Sequence, residues 1–132
     1  MFLVDTCVLS EARRDNLEAV GWLRSIDAES AYLSVITIGE IMKGIALKGR
    51  TDAHAAASLR QWLARLQHLY ADRILPIDAA VALEWGRLSA ARPRPMADAL
   101  IAATARVHRK IVVTRNIADF SDAGIDVLNP WA

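Results

Sequence analysis

The sequence predicts an α/β layer fold with a mostly parallel central sheet of about five strands. Five short apolar runs, each of a length typical of buried strands, alternate with longer segments whose apolar or alanine-rich positions follow a helical period. No internal repeat, low-complexity tract or linker interrupts the 132 residues, and 54% of them are hydrophobic. Together these observations predict one domain, residues 1–132, in which helices connect the strands.

The elements follow in order along the chain. The candidate strands are FLV at 2–4, AYLS at 31–34, ILPI at 74–77, IVVT at 111–114 and DVL at 126–128. Residues 55–70 place apolar side chains at a helical spacing, and residues 79–91 and 97–108 are rich in the helix former alanine. Ser34 can cap a further helix, on which Thr37, Glu40 and Gly44 are expected along one edge beside a core stripe of Ile38, Ile41 and Ile45.

Composition excludes several classes of protein. A net charge of +1 does not indicate a strongly basic nucleic-acid binder, although thirteen of the sixteen cations are arginine, which suits forked contacts to phosphate. A single cysteine allows no internal disulfide and fits a reducing compartment. We expect no membrane span and no signal peptide, because no long apolar segment and no basic, then apolar N-terminus is present. The expected location is therefore the cytoplasm.

Four acidic residues are expected at one rim of the sheet. Parallel sheets bind ligands beyond the carboxyl ends of their strands. The acids near those ends are Asp5, Glu40, Asp98 and Asp119. Each alone could serve as a helix cap or a solvated charge, but four carboxylates in one pocket would repel one another unless a cation neutralised them. An all-carboxylate set favours Mg²⁺ or Mn²⁺, and such sites are typical of metal-dependent nucleases.

The motifs of the chain carry a family resemblance. They are FLVDTCVLSE at 2–11, LSVITIGEIMKGI at 33–45, ILPID at 74–78, ADALIAATA at 97–105, VVTRNIADF at 112–120 and the tail VLNPWA. In this order the sequence resembles a PIN-domain ribonuclease of the VapC and FitB type, the toxins of bacterial type II toxin-antitoxin pairs. The resemblance implies a three-layer α/β/α domain.

The resemblance also implies a site and a reaction. The acids that it assigns to Mg²⁺ or Mn²⁺ binding and to catalysis are Asp5, Glu40, Asp98 and Asp119. The polar residues that would surround and orient them are Thr6, Ser10, Thr114 and Asn116. The implied reaction is endonucleolytic hydrolysis of RNA by metal-activated water, leaving 3′-hydroxyl and 5′-phosphate ends. The candidate RNA-contacting cations are Lys43, Lys48, Arg50, Arg92, Arg94 and Arg115.

The partners implied by the resemblance are an RNA substrate, a second copy of the chain in a homodimer, and a VapB/FitA-like antitoxin. That antitoxin is a small DNA-binding protein whose C-terminal segment covers the site, so contact with DNA would be indirect. A bacterial cytoplasmic location with no membrane contact follows. The helices at 55–70 and 79–91, with Trp62 and Trp85, are candidate partner surfaces, although most of their apolar residues are expected in the core.

Cys7 is where the sequence departs from this family, which commonly has asparagine at that position. Cysteine is the weaker hydrogen-bond partner, so ordering around Asp5 is expected to be looser. Cys7 and Arg13 also show the C-x₅-R spacing of cysteine phosphatases, a rival interpretation weakened by the absence of glycine between them and by Glu11. A non-catalytic RNA- or protein-binding module is the other alternative. Phosphoaspartate enzymes would require a second acid two residues after Asp5, where this sequence has Cys7. Receiver domains would require an acidic pair at the first strand and an aspartate after the third, and only Asp78 is present.

Overall fold

A computed structural model describes the whole chain, from Met1 to Ala132. It contains five strands, six α-helices and two 3₁₀ turns, at Ala28–Ser30 and Ile117–Asp119. In chain order the elements are β1 (Phe2–Val4), α1 (Thr6–Arg13), α2 (Leu17–Ser25), β2 (Ala31–Ser34), α3 (Val35–Lys48), α4 (Ala53–Leu69), β3 (Ile74–Leu75), α5 (Ala79–Ala91), α6 (Met96–His108), β4 (Ile111–Val113) and β5 (Val127–Leu128).

The strands form one parallel sheet in the order β3-β2-β1-β4-β5. In the centre of the sheet Leu3 of β1 pairs with Val112 of β4, while β2 lies on the other side of β1. Since β1 is central, the chain leaving its carboxyl end emerges in the middle of one sheet edge. The predicted parallel α/β fold is confirmed.

Side-chain alternation along the central strands builds two cores, one on each face of the sheet. Leu3 and Val112 pack with α5 and α6, whereas the adjacent residues Val4 and Val113 pack with α1 to α4. All four side chains are fully buried. Each contributes about 1.5–3 kcal/mol relative to exposure, so the strands can be short and still be firmly held. Helices therefore cover both faces, and the predicted three-layer arrangement is confirmed.

Most helices begin at a polar cap that the sequence supplies. Asp5, Asn16, Ser34, Asp52 and Asp78 each accept a hydrogen bond from a backbone N–H in the first turn of the helix that follows. Two of these caps, Asp5 and Ser34, fix the entry of the chain into α1 and α3, which follow β1 and β2 and pack on the same face of the sheet. None of the helices is long and apolar enough to cross a membrane.

The elements differ from the sequence-based expectations in three respects. The third strand is Ile74–Leu75 and not 74–77, because Pro76 has no N–H to donate to a neighbouring strand. Helices α1 and α2 were both absent from the predicted elements; the first residue of α2, Leu17, is exposed, so the apolar pattern there is weak. Thr37 is fully buried and not at a partly open edge. Among the expected core residues of α3, Ile41 and Ile45 are buried and Ile38 is partly buried.

Candidate metal-binding active site

Asp5 lies directly after β1, at the carboxyl edge of the sheet, and only 5% of its surface is exposed. Its Oδ1 accepts a hydrogen bond from the backbone N–H of Thr6 at 2.8 Å. Its Oδ2 accepts from the hydroxyl of Thr114 at 2.7 Å and, more weakly, from the thiol of Cys7 at 3.5 Å. Its own N–H donates to the carbonyl of Val113 at 2.9 Å. Both carboxylate oxygens are thus oriented by the fold itself.

Glu40 reaches the same edge from α3, and Thr6 connects it to Asp5. The Thr6 hydroxyl donates to Glu40 Oε1 at 2.7 Å and lies 3.3 Å from the hydroxyl of buried Thr37. Thr6 therefore contacts one acid through its backbone and the other through its side chain. The sequence did not single out Thr37 for this contact, since only its helical spacing from Glu40 was visible.

Asp98 lies in the first turn of α6 and is half-buried. Burial, which penalises the charged form, raises its pKa to about 6, and the negative charges of Asp119, Asp5 and Glu40 add to the increase. No side-chain hydrogen bond is made by this carboxylate. The three acids whose negative charges add to this increase are the three with which the sequence grouped Asp98.

Asp119 lies at the end of the 3₁₀ turn Ile117–Asp119 and is exposed. The segment leading to it is held by buried Thr114, whose Oγ1 accepts the backbone N–H of Asn116 at 3.0 Å while its hydroxyl donates to Asp5. The side chain of Asn116 is exposed and makes no hydrogen bond to an acid. Ser10 likewise makes none and lines a neighbouring groove.

The donor chemistry of this cluster fits a hard divalent cation. All ligands on offer are carboxylate or hydroxyl oxygens, which suit Mg²⁺ and Mn²⁺. No three of the acidic, histidine or cysteine side chains lie close enough to enclose one ion by themselves. Mg²⁺ normally keeps several waters and uses only one or two carboxylates, so a closed protein cage is not required. An ion held at this edge would use one or two of the carboxylates Asp5, Glu40, Asp98 and Asp119, with waters completing its coordination.

Cys7 does not build a phosphatase site. The C-x₅-R segment is the α-helix α1, not a loop, and Arg13 at its last position is exposed. Burial raises the pKa of the Cys7 thiol, and the negative charge of Asp5 adds to this, so the thiol stays protonated near neutral pH. Residues 7–13 therefore form neither a nucleophilic thiolate nor a phosphate-binding loop.

A groove of about 430 Å³ opens beside Glu40, between α1, α3 and α4. Thr6 and Ser10 lie at its acidic end. Three cations also line it, namely Arg13, Arg14 and Lys48. Two cations expected near the rim are not available in the same way: Arg92 and Arg94 are both hydrogen-bonded to Asp122, and the Arg94 side chain is only 3% exposed. The groove thus joins positive charge to the carboxylate cluster.

Comparison with known proteins finds one family and close relatives. The PIN domain family matches residues 2–125. The chain is 37% identical to Toxin FitB of Neisseria gonorrhoeae, with 99% of each chain covered. It is 32% identical to VapC ribonuclease Y4jK of Sinorhizobium fredii, with 99% of this chain and 98% of the relative covered.

Solved structures with the same fold are toxin-antitoxin assemblies. FitAcB from Neisseria gonorrhoeae superposes with a TM-score of 0.90 at 37% identity, covering 99% of each chain. FitAB bound to a DNA fragment gives a TM-score of 0.89 at 35% identity, covering 100% of this chain and 96% of that one. A toxin-antitoxin complex from Klebsiella pneumoniae gives 0.73 at 25% identity, with 98% of each chain covered.

Proposed function

The chain belongs to the PIN-domain family, and on that premise we propose that it is the toxin of a bacterial toxin-antitoxin pair and a metal-dependent endoribonuclease. The proposal is supported by relatives named as a toxin and as a ribonuclease, which are similar over almost the whole chain. The observation that carries it is the pair of carboxylates Asp5 and Glu40, which Thr6 joins at the carboxyl edge of the sheet. The negative charges of Asp119, Asp5 and Glu40 also contribute, after burial, to the raised pKa of Asp98. Uncompensated negative charge of this kind favours a bound cation.

In the proposed site, acidic residues bind the cation and threonines orient the acids. Asp5 and Asp98 are the residues that would hold Mg²⁺ or Mn²⁺, and Glu40 and Asp119 would assist them. Thr114 and Thr6 fix the directions of Asp5 and Glu40 by hydrogen bonds. When bound there, a divalent cation would supply Lewis acidity, which activates water and stabilises negative charge on phosphate oxygens.

The RNA strand lies in the groove between α1, α3 and α4. Arg13 and Lys48 form no ion pair and are free to bind phosphates, and the exposed pair of Arg14 with Glu11, at 3.3 Å, is weak enough to be exchanged. Trp62, half-buried at the groove wall, is the aromatic side chain in this groove that would contact a base. Phosphate contacts of this type affect affinity for any sequence, so these residues position RNA and do not choose it.

The proposed protein partner is a VapB/FitA-like antitoxin. A relative at 25% identity is part of a toxin-antitoxin complex, and FitAB, at 35% identity, is bound to DNA. We assign contact with DNA to the antitoxin and not to this chain, whose net charge is only +1. The proposed location is the bacterial cytoplasm, where RNA and antitoxin are both present.

A homodimer is the proposed assembly. A second groove, of about 450 Å³, lies on the other side of Glu40 between the starts of α3 and α6, and is lined mainly by apolar side chains. Val35 and Met96 are exposed there. Trp62 and Trp85 are less suited to this contact than the sequence suggested, since both pack partly against the cores. Light scattering of the purified chain gives the mass that checks this assembly.

The experiment that tests the function is RNA cleavage by purified protein with Mg²⁺, with Mn²⁺ and with EDTA. Asp98→Asn should abolish cleavage, whereas Asp126→Asn, a change of an exposed acid in the same part of the chain, should not. Cleavage that survives Asp98→Asn or EDTA would contradict the proposal. Tight antitoxin binding without cleavage under any metal would instead indicate a binding module.

A further inference from the structure

Asp98 and Asp119 are the two acids of the site whose side chains accept no hydrogen bond, and they lie on different segments of the chain. The turn 92–95 leads into α6 and hence to Asp98, and the segment 114–122 carries Asp119. Thr114 anchors the start of the second segment through the Asn116 N–H. A single side chain, Asp122, joins its far end to the turn 92–95.

Asp122 is bound by two arginines of that turn. Arg92 donates through Nη2 to Asp122 Oδ1 at 3.0 Å and through Nε to Oδ2, and Arg94 donates through Nη1 to Oδ1 at 3.0 Å. Forked, charge-assisted contacts of this kind fix orientation as well as distance. We name the three residues Arg92, Arg94 and Asp122 the arginine clamp.

The arginine clamp is anchored in the body of the fold by Arg94. Its side chain is 3% exposed, and its Nε donates to the carbonyl of Leu88 near the end of α5 at 3.2 Å. The clamp therefore links Asp122, and with it the segment after β4, to the end of α5 and to the start of α6.

The charges of the clamp reach the site itself. Hydrogen bonds from Arg92 and then from Arg94 hold the pKa of Asp122 well below its usual range, so this carboxylate stays ionised. The hydrogen bond to Asp122 raises the pKa of Arg92, and the negative charge of Asp119 contributes to this increase. The opposite charges of Arg92 and Asp119 thus attract each other.

We propose that Asp122 is a positioning residue of the carboxylate site: through Arg92 and Arg94 it sets the placement of Asp119 relative to Asp98, and thereby the affinity for the divalent cation. This inference rests on the proposed function for the identity of the bound group. It assigns Asp122 no contact with the cation or with RNA. Exposed ion pairs as a rule contribute little to the free energy of unfolding. If Asp122 only stabilised the fold, its substitution would leave the affinity for the cation unchanged.

The test compares Asp122→Asn with the control Asp126→Asn in the full chain, using Mn²⁺ alone as the probe. Calorimetry should show the Mn²⁺ dissociation constant of Asp122→Asn raised about tenfold, the lower range for loss of an outer hydrogen-bond partner at a metal site. Asp126→Asn should match the unchanged protein. An Asp122→Asn protein that binds Mn²⁺ as tightly as the control overturns the inference.

A second readout works on the metal-free protein and separates failure of this inference from failure of the proposed function. Hydrogen exchange of the Asp119 amide, which donates to the Asn116 carbonyl at 3.1 Å, should be faster in Asp122→Asn and unchanged in Asp126→Asn. Unchanged exchange in Asp122→Asn overturns the clamp, whatever the protein does to RNA. Absence of Mn²⁺ binding by the unchanged protein contradicts the proposed function and also removes the metal part of this inference. Arg92→Gln, which leaves buried Arg94 in place, should give the same changes more weakly.

Discussion

The two halves of the carboxylate site are built differently. Asp5 follows the central strand β1 and Glu40 lies on α3, and both are oriented by hydrogen bonds of 2.7–2.8 Å from Thr114 and Thr6. Asp98 and Asp119 stand at the start of a helix and in an exposed turn, and they have no such donors. The first half is oriented by the fold itself, whereas the carboxylates of the second half have no hydrogen-bond donor, although the charge of Arg92 acts on Asp119. A bound cation would therefore act chiefly on the second half.

Substituting one acid from each half should give the largest difference in RNA cleavage. Asp5→Asn should lower RNA cleavage by more than about 100-fold, beyond what loss of an outer hydrogen-bond partner causes. Asn caps helices as well as Asp does, so circular dichroism should show α1 and the fold retained. Asp119→Asn should cost about tenfold and recover in excess Mn²⁺, because an exposed carboxylate is the more replaceable ligand. Equal losses in the two variants would contradict the division.

The hydrogen bond from Thr114 gives the next largest effect. Thr114→Val removes the donor to buried Asp5 and the acceptor of the Asn116 N–H, so cleavage should fall about 10–100-fold. The free energy of unfolding in urea should fall by about 1–3 kcal/mol, because a buried polar group loses its partner. Thr114→Ser keeps the hydroxyl and should restore most of both quantities. Failure of serine to do so would show that the lost methyl group, and not the hydrogen bond, matters.

The pH dependence of stability examines the second half in the metal-free protein. Because the native-state pKa of Asp98 is about 6, above the ordinary value of 3.8, this residue favours folding below about pH 4, and that contribution is lost as the pH rises through 6. At pH 7.5 the ionised group should cost about 1 kcal/mol after allowance for solvent screening. Asp98→Asn should therefore raise the free energy of unfolding at pH 7.5 and not at pH 4. A destabilised variant at pH 7.5 would contradict the raised pKa of Asp98.

The smallest expected effect belongs to Cys7. Its thiol is a weak donor that lies 3.5 Å from Asp5 Oδ2, and the Thr114 hydroxyl already donates to the same oxygen at 2.7 Å. Cys7→Ser should change cleavage by less than about threefold, since serine supplies a donor of its own. A complete loss of activity would assign the thiol a part in the chemistry that its geometry does not support.

The sequence was sufficient to place Asp5 and Asp98, because a strand end and a first helical turn can be read locally and parallel strands bring such positions to one edge. It could not place Thr37, whose burial depends on how α3 rotates against the sheet. Nor could it pair Asp122 with Arg92 across thirty residues, since that contact exists only after the segments on either side of α6 have folded together. Local pattern thus predicted the acids, and tertiary packing determined what orients them.

The convergence of the four carboxylates on a shared cation is tested most directly by a carbon-13 NMR titration of the Asp98 carboxyl. In the metal-free protein it should titrate with a pKa of about 6. The pKa should fall in Asp119→Asn, which removes a neighbouring negative charge, and should fall further in saturating Mg²⁺, since a nearby cation favours the ionised form. An Asp98 that titrates near 3.8 without metal, and whose titration Mg²⁺ leaves unchanged, would contradict the site.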